Sequence, residues 1–206
     1  SVGENTGWLP YHLAAIRKNK LIGAVPLYLK SNSQGEYIFD YNWAHAFERA
    51  GGRYYPKLQI SVPFTPVTGR RLLVSKNAPS NTASLLLKSA IELCKKNKLS
   101  SLHTTFCNKQ EFELGQKLGM LGRVSQQFHW LNNGYGNFGD FLNALSSRKR
   151  KNINKERLKA NNFGGEIEIL TGSEIKKDHW NYFWKFYQDT GIKKWGTPYL
   201  TRQFFD

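Results

Sequence analysis

The chain has 206 residues and carries 30 Lys and Arg against 15 Asp and Glu, a net charge of +15. That excess selects anionic partners (a nucleic acid, a nucleotide cofactor, anionic lipid, a charged cell-wall precursor) and says nothing of fold. With 40% hydrophobic and 14% aromatic residues the chain can bury a core, which excludes a disordered basic tail.

Tyr11 to Arg17 and Lys20 to Lys30 are β-type runs joined at Lys18-Asn19, and Asn tolerates the positive φ of a hairpin turn. Pro26 inside the second run marks an edge or a bulge. A short third strand is expected at Tyr37 to Asp40, a helix from Asn42 to Ala50 ended by Gly51-Gly52, and a strand from Lys57 to Val62. Pro63-Phe-Thr-Pro-Val-Thr-Gly69 fits neither helix nor central strand. Thr82 to Lys96 is an amphipathic helix behind a capping loop at Asn77 to Asn81. A strand at Ser100 to Phe106, a helix at Lys109 to Leu118 and a strand at Arg123 to Leu131 follow.

The order is β-rich first, then α-β-α-β, which indicates an α/β or α+β layer fold with a mixed sheet. A polar, Gly-rich stretch from Asn132 to Gly139 then separates a new unit. There a helix is expected at Phe141 to Ala160, a strand at Gly165 to Thr171, and a helix at Glu174 to Thr190 with Ser173 as N-cap. Trp180, Phe183, Trp184 and Tyr187 form an apolar stripe on that last helix, the spacing of a core face.

Cys94 and Cys107 are the only cysteines. Without a CxxC pair or Cys/His cluster a zinc ribbon is excluded, and no metal site is expected. Two unclustered cysteines fit a reducing compartment, so a cytoplasmic location is expected. The longest apolar run, Leu21 to Leu29, contains Pro26 and is too short to span a bilayer. The chain begins at Ser1 and breaks off at Gln203-Phe-Phe-Asp206, which reads as a fragment cut at both ends.

Four features are candidates for function. Between Arg148 and Lys159 stand Arg148, Lys149, Arg150, Lys151, Lys155, Arg157 and Lys159 against a single acid, Glu156. On a helix Arg148, Lys151, Lys155 and Lys159 fall in one stripe, while Arg150 points elsewhere. Such a run is either a phosphate-binding surface or a solvated face. Second, two prolines stiffen the Pro63 to Gly69 loop. Its hydroxyls Thr65 and Thr68, with Arg70 and Arg71 beside them, suit an anion or a substrate backbone. Third, Asp40 and Glu48 flank Trp43 and His45, and either carboxylate suits proton acceptance from an attacking amine. Fourth, His103 and His129 lie in expected strands that can face one cleft. Gly119 follows a helix instead of preceding one, so it reads as a terminator and not as part of a phosphate loop.

Gly7-Trp-Leu-Pro10, Gly23-Ala-Val-Pro-Leu-Tyr-Leu29, Tyr54-Tyr-Pro-Lys57, Pro63 to Gly69, Gln127-Phe-His-Trp130 and Lys194-Trp-Gly-Thr-Pro-Tyr-Leu200 together resemble the bacterial FemAB-like proteins. Those are acyltransferases of the GNAT superfamily associated with peptidoglycan biosynthesis or recognition. The resemblance implies a first GNAT-like domain over 1–134 and the opening of a second, incomplete one over 135–206. It implies an acyl or aminoacyl group moved onto an amine, with acyl-CoA or aminoacyl-tRNA as donor substrate and no tightly bound cofactor. Lys57, Thr65, Thr68, Arg70, Arg148, Arg150, Lys151 and Lys155 are then the substrate-binding candidates, Arg150 set by the resemblance at the opening of the second domain, and Asp40, Glu48 and His129 the catalytic ones. The alternative is a non-catalytic nucleic-acid-binding or cell-wall-recognition module that uses the basic helix.

Overall fold

A computed structural model describes every residue except Ser1, Glu4, Asn5, Trp195, Gly196, Thr197 and Tyr199. Four residues of the Lys194–Leu200 motif therefore lie outside the described residues. The chain divides into two compact units, Ser1–Ser125 and Gln126–Asp206.

The first unit is built on two sheets. Strands β1 (Trp8–Pro10), β4 (Leu27–Lys30), β5 (Lys57–Ile60) and β7 (Leu102–Thr104) form one, in the order β1-β4-β5-β7. Strands β2 (Leu13–Arg17), β3 (Lys20–Val25) and β6 (Leu73–Val74) form the other. All ladders are antiparallel except β5 with β7, so the sheet is mixed as expected.

Local chemistry explains the exchange between sheets. The β2–β3 hairpin turns at Lys18 and Asn19, whose φ values of 48° and 58° put both in the left-handed region. Pro26 then ends β3, because proline cannot donate to a ladder, and the chain enters the other sheet as β4. The single expected strand Lys20 to Lys30 is thus two strands.

Val25, Leu27, Leu58 and Ile60 pack against helix α2 (Thr82–Lys96) through Leu86, Leu87 and Ala90. Each such side chain contributes roughly 1.5–3 kcal/mol when fully buried. Helix α1 (Tyr41–Arg49) and helix α3 (Lys109–Lys117) complete this unit. Asn108 caps α3 by accepting from Glu111 N, and Gly119 at φ 85° ends it.

Two strand expectations fail here. Tyr37 to Asp40 is a loop, with Tyr37 at φ 56° and Phe39 at φ 51°, a left-handed backbone that no strand accommodates. Arg123 to Leu131 has no ladder and is exposed throughout. Its alternating pattern prepares a strand, but a strand exists only where an edge pairs with it.

The second unit contains α4 (Phe138–Asn143), α5 (Ser147–Asn161) and α6 (Lys177–Lys193). The expected helix Phe141 to Ala160 is broken in two at Leu145-Ser146, where Ser146 becomes the N-cap residue of α5. Asn137 and Asp140 form a capping box on α4. Gly165 to Thr171, expected as a strand, is irregular and lacks a pairing partner among the described residues. Helix α6 begins three residues later than expected, with Lys176 and not Ser173 at its N-cap, and Gly191 lies inside it. Trp180, Phe183, Trp184 and Tyr187 gather around Phe205 at ring separations of 5.5–5.9 Å. No described residue of this unit is fully buried.

Candidate functional site

Alternation along β5 points Leu58 and Ile60 to one face of the sheet and Lys57, Gln59 and Ser61 to the other. The ladder sets Lys30 opposite Lys57, and Tyr28, Gln59 and His103 side by side. Lys30, Lys57, Gln59 and Ser61 are all buried. One face of this sheet is therefore apolar core, and the other is polar and equally shut off from water. A buried polar face is costly unless its groups find partners.

The loop between β4 and α1 supplies most of them. Lys57 Nζ donates to Glu36 Oε2 and to Asp40 Oδ2, each at 2.8 Å, and to Ser33 Oγ at 3.1 Å. These bonds use all three ammonium hydrogens. His103 Nδ1, 3.4 Å from the same nitrogen, then faces it with a lone pair, and Nε2 carries the proton toward Ser101 Oγ at 3.1 Å. Tyr54 donates its hydroxyl to Asp40 Oδ2 at 2.7 Å, and Tyr55 shares a 2.6 Å hydrogen bond with Ser33. Lys30 stands 3.7 Å above the Trp8 ring, and both donate to the Gln34 carbonyl, at 3.1 Å and 2.9 Å.

The electrostatics follow. Burial alone would raise the Asp40 carboxyl, but hydrogen bonds led by that from Lys57 outweigh it and bring it down to about 2. Burial pushes Glu36 up. Burial, and then the Lys57 charge, lower His103 to about 4, so its ring is neutral at pH 7. Burial lowers Lys30 to about 8. Glu36, Asp40 and His103 have ligand atoms within 4.8 Å of one another, the donor set of a cation site, and the Lys57 ammonium already supplies a positive charge among them.

Beyond the carboxyl ends of β5 and β7 lies the Pro63–Gly69 loop. Arg71 pins it from beneath: its guanidinium donates to Thr105 O at 2.9 Å and to Val67 O at 2.6 Å. The Arg71 and Leu72 amides in turn donate to the Glu111 carboxylate at 2.8–3.0 Å. Gly69 N donates to Phe106 O at 3.0 Å. The Phe64 ring lies on Gly35, where a Cβ would come within 2.7 Å of it.

Of the residues expected from the sequence, the fold unites Lys57, Asp40 and His103 in the buried network. Thr65 is half-buried and donates to Pro63 O at 3.1 Å, while Thr68 and Arg70 are exposed on the same loop. Glu48 is exposed on α1. His129 is exposed in the second unit, 3.3 Å from Gln127 Oε1. Arg148, Lys151 and Lys155 are exposed on α5 and Arg150 is half-buried. Sequence reasoning missed Glu36, Lys30, Ser33, Tyr54 and Tyr55 as parts of one network. Their signals were the Tyr54-Tyr-Pro-Lys57 motif and the placing of Lys30 and Lys57 inside β-type runs, which reads equally well as a solvent-facing alternation.

The fold and this site define a mixed α/β protein with an ionic network sealed under one sheet face and a braced loop at the strand ends. The profile of the FemAB-like family, described as peptidoglycan biosynthesis/recognition, matches residues 1–206, and the chain belongs to that family. No curated protein and no solved structure matches it significantly. Among the described residues no helix is long and apolar enough to cross a membrane.

Proposed function

We propose that this chain is part of an N-acyltransferase of the FemAB/GNAT type, carrying an acyl or aminoacyl group onto an amine of a cell-wall precursor. The observation that carries the reading is the Pro63–Gly69 loop, braced by Arg71 at the carboxyl ends of the parallel pair β5–β7. Ligands of open α/β sheets bind outside those strand ends. A fixed loop presenting the exposed Thr68 and Arg70 suits the carboxylates or phosphates of a peptidoglycan precursor. Beneath it, the Lys57 network works as a rigid platform. The attacking amine loses its proton to a group in contact with solvent or substrate, a description that suits the exposed Glu48 better than the sealed Asp40. The donor is an activated ester, either an acyl-CoA or an aminoacyl-tRNA.

The test offers labelled acetyl-CoA, longer acyl-CoAs and charged tRNAs together with muropeptide amines, and compares the protein with Thr68→Ala and Arg70→Ala. Transfer that both variants weaken supports the reading. Absence of transfer from every donor by a folded protein sinks it.

One observation favours a second reading. The seven cations from Arg148 to Lys159 form no ion pair among the described residues. Salt-dependent RNA binding without transfer to any amine identifies a recognition module instead.

A further inference from the structure

Helix α1 turns its apolar side to solvent. Spacings of three and four put Trp43, Ala46, Phe47 and the C-cap Ala50 on one face, and Asn42, His45 and Arg49 on another. On a helix packed against a sheet the first face would be covered. Here Ala44 is the only buried residue, and Trp43 and Phe47 are 67% and 50% exposed. Phe39, just ahead of the helix, is 76% exposed.

Two features hold this exposure in place. Asp40, the N-cap residue, is fixed by Lys57 Nζ at 2.8 Å, so the buried network sets where α1 begins. Phe39 has φ 51°, a left-handed backbone that costs a bulky residue energy and that glycine adopts freely. A strained backbone that sets an aromatic ring in water does nothing for folding.

The surroundings narrow the occupant. Arg49 ends the helix, Arg53 follows it, and both are exposed. Arg123 donates to Ile38 O at 3.2 Å, next to Phe39. None of the three arginines forms an ion pair among the described residues. Glu48 is the one exposed acid between residues 38 and 53. The patch thus joins Trp and Phe rings to cations, which suits an anionic surface with an apolar interior. A second copy of the chain brings its own charge of +15 and is repelled. The exposed parts of the three rings come to roughly 400 Å². A stable protein interface takes about 800 Å² from each side. A bilayer needs no matching contour and accepts an amphipathic helix lying in its headgroup region.

We propose that α1 and Phe39 dock the chain on an anionic lipid bilayer. Phe39, Trp43 and Phe47 enter the boundary between headgroups and acyl chains, and Arg49, Arg53 and Arg123 meet the lipid phosphates. The helix lies on the membrane and does not cross it. The inference stands independently of the transferase reading.

The probes are vesicles of phosphatidylcholine alone and of phosphatidylcholine mixed with an equal amount of phosphatidylglycerol, the mixture also with brominated acyl chains. The chain is expected to sediment with the anionic vesicles only and to be released by salt. Brominated chains are expected to quench its tryptophan fluorescence, and Trp43→Phe to reduce that quenching. Trp43→Ser is expected to weaken binding about tenfold. Arg49→Gln and Arg53→Gln are each expected to weaken it about fivefold. Phe39→Gly relaxes the backbone, so it is expected to weaken binding while raising the melting temperature. Absence of sedimentation with anionic vesicles, or equal sedimentation with both kinds, overturns the proposal. So does parental binding by all these variants, which places the contact elsewhere on the chain. Self-association or single-stranded RNA binding that Trp43→Ser abolishes, without vesicle binding, overturns it in favour of a second copy or of stacked nucleobases.

Discussion

Lys57 Nζ donates to Asp40 Oδ2 across 2.8 Å, and neither side chain is exposed by more than 1%. The two residues are 17 apart in sequence, and the loop that carries Asp40 ends up above the strand that carries Lys57. Their ion pair, extended to Glu36, ties that loop to the sheet. Truncating one partner of a buried pair is far more damaging than the pair's own net contribution, because it strands the opposite charge.

Lys57→Met should therefore cost about 3–5 kcal/mol in urea unfolding, since it leaves Glu36 and Asp40 facing each other without a cation. Adding Asp40→Asn to that variant should recover part of the loss. A double variant no more stable than Lys57→Met contradicts the coupling.

Stability should fall on acidification. His103 titrates at about 4 in the folded chain and near ~6.5 when unfolded, so its contribution is complete above the unfolded value and is lost as pH falls through the folded one. Asp40, at about 2 folded against ~3.9 unfolded, loses its contribution in the next window down. Glu36, which is raised, works the other way: its contribution is present at low pH and lost as pH rises. Melting temperatures measured from pH 7 to pH 4 should decline, and His103→Gln should flatten that decline. A His103→Gln profile parallel to the parent's removes His103 from the explanation.

Arg71→Lys keeps the charge but replaces a planar fork that reaches Val67 O, Thr105 O and Arg70 O. A single ammonium on a flexible stem cannot hold that geometry. Amide exchange in the 63–69 loop, at Gly69 above all, should quicken in this variant while the core strands stay protected. Unchanged protection at Gly69 shows that the loop is rigid without Arg71.

On α5, changing Arg148, Lys151 and Lys155 together to Ala should leave the melting temperature within a few degrees, because all three are exposed and alanine is the better helix former. Binding to single-stranded RNA should lose salt dependence, by about 0.7 in log–log slope for each phosphate contact removed. Arg150→Lys tests a bidentate contact separately, since it keeps the charge and loses the fork. RNA affinity unchanged in both variants returns the run to a solvated helix face.

Much of this molecule follows from local chemistry. Amphipathic spacing located α2 to the residue, and the helices expected ahead of Gly51-Gly52 and Gly119 match α1 and α3 to within one residue at either end. Lys18-Asn19 located a hairpin, and Gly119 marked the end of α3. These signals are short-range: caps, turn residues and helix faces act over a few positions, so one sequence suffices to read them.

Pairing is where that reading stopped. Arg123 to Leu131 and Gly165 to Thr171 alternate as strands do and still lack ladders, because a strand is stabilised by a neighbour that its own residues do not encode. The buried polar face has the same origin. Lys57, Gln59 and Ser61 alternate with Leu58 and Ile60 just as they would on a strand with one side in water. Only the tertiary structure decides that this side is roofed by the loop carrying Ser33, Glu36 and Asp40, which seals these polar positions and makes Lys57 the centre of a buried ionic network. By itself the sequence determined the helices of the first unit, the β2–β3 hairpin, the charge and the family. Which polar side chains meet, and at what pKa, was decided by contacts between residues 17 to 46 positions apart, which no local pattern records.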